Sequence, residues 1–176
     1  SDYRNALNTL KVIVTYFPKH PDAREAAERM RGVFRRLYFE GEADNISPLK
    51  ALALYDEFRE LTPAGPEGNF MIQKLAERLV NVDLLDKASD VLNHQVKFRL
   101  KGEEKAGVGT KLALIRLIAR DPQGALGALR DSFYPNVSLE IENDRRRIRA
   151  KAEFELGKAN DAIALLAGDI SREADL

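Results

Sequence analysis

The chain has 176 residues, and its 28 Lys and Arg balance its 28 Asp and Glu, so the formal net charge is zero. A balanced charge argues against a protein whose main task is to coat nucleic acid or an anionic membrane surface. The absence of Cys excludes disulfides, thiolate catalysis and Cys-based metal sites, and two His residues are too few for a His-rich metal site. The composition therefore predicts no enzyme, no metal site, no cofactor and no nucleic-acid partner.

Helical patterns occur from the start of the chain, and strand patterns do not. Residues 6–16 predict a helix with no earlier helix to cover its apolar face, so we expect that face to be open. Residues 22–40 carry apolar side chains at spacings of three and four, as an amphipathic helix does. Pro21 fits the first turn of this second helix, and Gly41 fits the left-handed residue that ends it.

The later helices are marked by capping residues. Ser47 precedes a proline, and this pair combines a capping side chain with a residue suited to the first helical position. Asp121 also precedes a proline and repeats this arrangement. Ser138 can cap the helix that runs to residue 156, and Gly157 can end it. The segments between these patterns are short enough to join neighbouring helices.

The chain contains an internal repeat. Four alanines stand at three successive intervals of 37 residues: Ala51, Ala88, Ala125 and Ala162. The residue four positions after each alanine is large and apolar, and the residue 12 positions before each of the last three alanines is small. The segment at residues 6–10 fits the same pattern if residues 41–47 contain an insertion. Such columns predict stacked helix pairs that share a core, because one pair cannot bury its apolar face alone.

This arrangement resembles the tetratricopeptide repeat (TPR). The last repeat matches the family at its small helix-A residue, its turn glycine, its helix-B alanine and its large residue: Ala150, Gly157, Ala162 and Leu166. Asp83 and Arg120 stand in place of the turn glycine in the two middle repeats. The resemblance covers nearly the whole chain, which is similar to large, poorly characterised bacterial TPR-containing proteins.

The resemblance implies an all-α fold, namely a right-handed superhelical solenoid of antiparallel helix pairs with about eight or nine helices. We expect one domain over residues 1–176, and its uncapped ends predict that it is a fragment of a longer chain. Its repeats would cover approximately residues 1–20, 21–65, 66–101, 102–137 and 138–170.

The resemblance also implies a protein–protein interaction scaffold that binds a peptide or a partner protein on the concave surface of the helices A, the first helices of the repeats. The positions that match the family's binding groove include Lys74, Asn81, Lys111, Arg147 and Lys151. Long cationic side chains at these positions would hold the carboxylates of an extended or helical peptide. The alternative is a structural helical domain that packs within a larger bacterial envelope or multidomain protein.

The densest basic run, residues 144–151, leaves two interpretations open. It could form an anion or acidic-peptide site, or it could be a solvated helix face with intrahelical pairs to nearby glutamates such as Glu142. No segment approaches the roughly 20 apolar residues that span a bilayer, so no membrane insertion is predicted. Residues 1–15 lack the apolar core of a signal peptide, and the compartment stays open between cytoplasm and envelope.

Overall fold

The computed structural model describes the backbone of residues 3–173, and the side chains up to residue 167 except that of residue 44. This part of the chain forms nine α-helices and two short 3-10 helices, Glu42–Asn45 and Arg59–Leu61, and it contains no strand. The α-helices are α1 (Tyr3–Tyr16), α2 (Ala23–Tyr38), α3 (Pro48–Glu57), α4 (Pro66–Asn81), α5 (Leu85–Phe98), α6 (Gly102–Ile118), α7 (Pro122–Asp131), α8 (Leu139–Glu155) and α9 (Ala159–Glu173). The prediction of an all-α fold with eight or nine helices is confirmed for these residues.

The described residues divide into two compact units, and the division falls within α4, between Arg78 and Leu79. The N-terminal unit contains α1, α2, α3 and most of α4. The C-terminal unit contains the end of α4 and the five helices from α5 to α9.

Helix α2 contributes one apolar face to the core of the N-terminal unit. Phe34 and Leu37 of this helix are fully buried, and α1, which packs against α2, adds the buried Leu7. The Tyr38 hydroxyl donates a hydrogen bond of 2.5 Å to the carbonyl oxygen of Ala51 and so joins the end of α2 to α3. Burial raises the pKa of Tyr38 above its ordinary value.

Polar contacts hold one face of α1 against the carboxyl end of α3. Arg4 Nε donates to Glu57 Oε2 at 2.7 Å, Asn8 Nδ2 donates to Glu57 Oε1 at 3.1 Å, and Lys11 Nζ donates to the Glu57 carbonyl oxygen at 3.3 Å. The hydrogen bond from Arg4 holds the pKa of the Glu57 carboxyl below its usual range. Because residues 4, 8 and 11 share one helical face, the residues between them, such as Ala6, lie on another face of α1.

In the C-terminal unit, each helix from α5 to α9 packs against the next one in the chain, and α6 also packs against α8. The turns between these helices repeat with the predicted period. Asp83, Arg120 and Gly157 adopt left-handed conformations with φ of 60°, 64° and 82°. The residue that follows each of them donates its backbone N–H to the carbonyl oxygen five positions earlier in the chain. These hydrogen bonds run from Leu84 to Leu79 at 2.9 Å, from Asp121 to Arg116 at 2.8 Å, and from Lys158 to Glu153 at 2.9 Å. The same Schellman turn therefore recurs every 37 residues, whether its left-handed residue is Asp, Arg or Gly.

The four alanines of the repeat occupy equivalent positions. Each donates its N–H to the carbonyl of the residue just before its helix: Ala51 to Ser47, Ala88 to Leu84, Ala125 to Asp121, and Ala162 to Lys158, at 3.0 to 3.1 Å. All four are buried, as are the small residues 12 positions before the last three. The large residue of the last repeat, Leu166, differs because it is 42% exposed, whereas its counterparts in the three preceding repeats are buried.

Candidate functional site

Lys74, a predicted partner-binding residue, lies on an exposed face of α4 in the N-terminal unit. Its Nζ is 2.9 Å from Oε2 of Glu77 and 5.5 Å from the centroid of the Phe70 ring. The Phe70 ring meets the Phe39 ring in an edge-on arrangement with centroids 6.2 Å apart, and the Arg35 guanidinium lies 5.4 Å from the Phe39 centroid. Lys74 therefore belongs to a surface cluster of cations and aromatic rings within this unit.

The other four predicted residues belong to the C-terminal unit. Asn81 is the last residue of α4, Lys111 lies on α6, and Arg147 and Lys151 lie on α8; all four are exposed. Because α6 and α8 pack against each other, the three cations lie on two neighbouring helices.

Exposed apolar side chains accompany these cations. On α6, Leu114 and Ile118 follow Lys111 at successive helical turns and are 46% and 56% exposed. On α8, Phe154 follows Lys151 by one turn and is 65% exposed. Spacings of three and four place each apolar residue on the same face of its helix as the cation. Such a mixture of cationic and apolar groups suits an amphipathic segment that carries carboxylates.

Lys74 and Lys111 stand 37 residues apart, so they occupy the same position in two successive repeats. Lys74 and Lys111 are both exposed, but Ile148, a further 37 residues along, is only 8% exposed. The preceding residue, Arg147, is exposed instead, and it projects about 100° around the helix from Ile148. The cations of successive repeats therefore do not all occupy one repeat-equivalent position.

The basic run at residues 144–151 does not form a single cationic face. Arg145 points inward, and its guanidinium donates to four acceptors: the Ala106 carbonyl at 3.1 Å, Thr110 Oγ1 at 3.2 Å, Ser132 Oγ at 3.1 Å, and the Leu129 carbonyl. Its partial burial lowers the pKa of Arg145. Arg146 pairs with Glu142 at 3.2 Å, one helical turn away, so the intrahelical pair to this glutamate is present.

The inward position of Arg145 depends on a close crossing between α6 and the end of α7. A β-carbon added at Gly109 of α6 would lie 2.0 Å from Oγ and 2.2 Å from Cβ of Ser132, so a side chain does not fit there. Ser132 is fully buried and donates its hydroxyl to the Ala128 carbonyl at 2.6 Å. The sequence indicates only the inward direction, because Arg145 stands three and seven residues before the apolar Ile148 and Ala152 and so shares their helical face.

Among the described side chains, no three His, Asp or Glu residues come together as metal ligands would. None of the described helices has the length and apolar character needed to cross a membrane. Comparison of the chain with known protein families, with curated proteins and with solved structures gives no match. The candidate site is therefore defined by its own chemistry, that of exposed cations and apolar side chains on contacting helices.

Proposed function

We propose that this chain is a protein–protein interaction scaffold, a TPR-like solenoid. It would bind a peptide or a partner protein on the surface formed by the first helix of each repeat, helix A. The observation that carries the proposal is the recurrence, every 37 residues, of the same left-handed turn, the same first helical hydrogen bond and a buried alanine. Helical repeats that stack on one another create extended surfaces, and binding to such surfaces is their usual role.

The chemistry of α6 and α8 favours a partner segment that is both acidic and apolar. Lys111, Arg147 and Lys151 offer exposed cations, and each exposed ion pair contributes only about 0.2–1 kcal/mol. Several pairs must therefore act together. The exposed Leu114 and Phe154 would add apolar contacts, and aromatic and Arg side chains are enriched where binding energy is concentrated.

The proposal is tested by reversing four cations to Glu in one variant, at Lys74, Lys111, Arg147 and Lys151. We expect this variant to lose capture of the proteins that the wild-type chain retains from a bacterial lysate, identified by mass spectrometry. Circular dichroism should be unchanged, because the four side chains are exposed. Capture by the wild type should also weaken as salt rises, since charges are screened over a Debye length of about 10 Å at 0.1 M.

A matched control separates a defined surface from net charge. Reversing four exposed cations elsewhere, at Lys19, Lys50, Lys87 and Lys97, changes the net charge by the same amount. This control should retain the wild-type partners. Equal capture by the wild type and by the first variant would place binding on another surface. Capture of no partner by the wild type would instead support the structural alternative, in which the domain packs within a larger protein.

A further inference from the structure

Arg145 of α8 forms hydrogen bonds to two other helical segments. Its Nη1 donates to the Ala106 carbonyl and to Thr110 Oγ1 of α6, at 3.1 and 3.2 Å. The same nitrogen donates to Oγ of Ser132, which directly follows α7, at 3.1 Å, and Nη2 donates to the Leu129 carbonyl of α7. These acceptors are two carbonyls and two hydroxyls, and all of them are neutral. The geometry of a rigid fork, and not attraction to a carboxylate, therefore holds this guanidinium in place.

The bond to Leu129 completes the carboxyl end of α7. The N–H of Phe133 bonds to the Arg130 carbonyl at 3.2 Å, and the Leu129 carbonyl accepts from Arg145 instead. Carbonyls in the last turn of a helix have no donor further along that helix, and a cation beside them is stabilised by the negative end of the helix dipole. Arg145 therefore caps α7 from a different helix.

The face of α6 that Arg145 reaches is built of small residues. Three of them recur at spacings of four and three and are at most 7% exposed: Ala106, Thr110 and Ala113. A β-carbon added at the neighbouring Gly107 would lie 3.6 Å from Cδ1 of Ile141, so α8 packs on this side of α6. Small side chains form shallow ridges, and apolar contact has no preferred direction. Hydrogen bonds do have one, so those of Arg145 can fix α8 where apolar packing alone does not.

The bonds of Arg145 lie beside the cations of the candidate surface. Thr110 directly precedes the exposed Lys111 on α6, and Arg145 stands two residues before the exposed Arg147 on α8. Lys151 follows Arg147 by one helical turn. A shift or rotation of α8 against α6 would therefore change the distances between Lys111 and the cations of α8.

We propose that Arg145 is a positioning residue, whose hydrogen bonds set α8 against α6 and so set the spacing of Lys111, Arg147 and Lys151. Replacement of a buried charged group by an apolar side chain of similar size is often neutral for stability, whereas a buried polar group can fix the register of helices. Loss of Arg145 should therefore alter the arrangement of the surface more than the stability of the helices. The part of this inference that concerns binding rests on the proposed function.

The position of α8 is measured by double electron–electron resonance between two nitroxide labels. The chain has no Cys, so Ile118→Cys and Glu140→Cys, both at exposed positions, create two specific labelling sites. Ile118 ends α6, whereas α8 begins beside the first turn of α6, where the Ser138 N–H donates to Glu103 Oε1 at 2.7 Å. The rise of α6 from Glu103 to Ile118 places the labels roughly 22 Å apart. With Arg145 in place, we expect one narrow distribution of distances.

Two substitutions at Arg145 test its role. Arg145→Met should widen the distribution about twofold or more, because Met has a similar length and no donor. Circular dichroism should be unchanged, since the hydroxyls of Thr110 and Ser132 still donate to carbonyls one turn earlier, at 2.7 and 2.6 Å. Arg145→Lys should also widen the distribution, because one ammonium group keeps the charge but does not reproduce the fork. Since Lys keeps a cation at the end of α7, this variant decides the question if Arg145→Met does not fold.

The matched control is Arg149→Met, which removes an exposed cation one turn further along α8. Its distance distribution should equal that of the wild type. Equal widths in the wild type and in a folded Arg145 variant would overturn the proposal. An equal widening in Arg149→Met would also overturn it, because the effect would then follow from the charge of α8 and not from the bonds of Arg145.

A binding measurement connects the position of α8 to the proposed function. The probe is a fluorescent peptide of about 14 residues, with Leu at i, i+3, i+4 and i+7 and Glu on both flanks, and its binding is followed by anisotropy. Arg145→Met should weaken binding at least about fivefold, because exposed pairs are individually weak and must form together. Equal affinity despite a widened distribution would refute the link to binding. Failure of the peptide to bind the wild type would contradict the proposed function, and the distance measurement would then decide the role of Arg145 by itself.

Discussion

Replacing Gly109 by Ala should destabilise the C-terminal unit through the crossing of α6 with the end of α7. The new β-carbon would lie 2.0 Å from Ser132 Oγ and 2.2 Å from Ser132 Cβ, so the two segments must move apart. Overpacking of this kind costs about 1–3 kcal/mol. The movement would also disturb the hydrogen bonds of Arg145, each worth about 1 kcal/mol net. The gain in helix propensity from Gly to Ala offsets only about 0.5–1 kcal/mol.

The net loss should be about 1–3 kcal/mol in the free energy of unfolding, measured by urea denaturation followed by circular dichroism. With a slope near 2 kcal/mol per molar, the urea midpoint should fall by roughly 0.5–1.5 M. Gly107→Ala is the matched control on the same helix. The nearest atom to its added β-carbon is Ile141 Cδ1 at 3.6 Å, an ordinary contact, so this variant should be about 0.5–1 kcal/mol more stable than wild type.

A second substitution at Ser132 tests the cause of the effect. In the Gly109→Ala background, Ser132→Gly should recover stability that Ser132→Ala does not, because Ser132→Ala keeps the β-carbon that lies 2.2 Å away. If Gly109→Ala and Gly107→Ala shift the urea midpoint equally, the close crossing of α6 and α7 is refuted.

Two other predictions concern the repeat turns and the N-terminal core. Gly157→Ala should destabilise the chain by about 1–2 kcal/mol because the residue has a φ of 82°. Arg120→Gly should stabilise the chain by up to about 1 kcal/mol because it removes the strain of an Arg in the left-handed conformation. Urea midpoints that do not move in opposite directions would contradict the shared turn geometry. Tyr38→Phe should lower the free energy of unfolding by about 0.5–1.5 kcal/mol near pH 7, since it removes the hydrogen bond to Ala51. The pKa of Tyr38 is raised by burial, so the unfolded chain loses this proton first and the wild type loses stability above about pH 10. The difference between wild type and Tyr38→Phe should therefore stay constant up to about pH 9 and shrink as the pH rises above about 10, and a difference that is unchanged at about pH 11 would refute this assignment.

The sequence alone determines the helical class of the chain and the equivalence of its repeat positions. Helical periodicity, capping residues and alanines at intervals of 37 residues are local or regularly spaced features, so they can be recognised without knowledge of the packing. The left-handed turns at Asp83 and Arg120 follow from the period and not from residue type, because neither residue favours that conformation as Gly does. Lys111 and Lys151 are exposed, and their role in binding stays a prediction.

The tertiary structure decides what each member of a run of similar residues does. Arg145, Arg146 and Arg147 are identical in type, yet one is held inside, one pairs with Glu142 and one is exposed. The inward position requires acceptors that α6 and α7 bring together, and no local pattern in α8 encodes them. The glycines of α2 and α6 are likewise identical in type but differ in their tertiary surroundings. Gly109 is required because the Ser132 side chain leaves no room for a β-carbon, whereas Gly32 faces open space, and this difference depends on which atoms from distant parts of the chain come within contact distance.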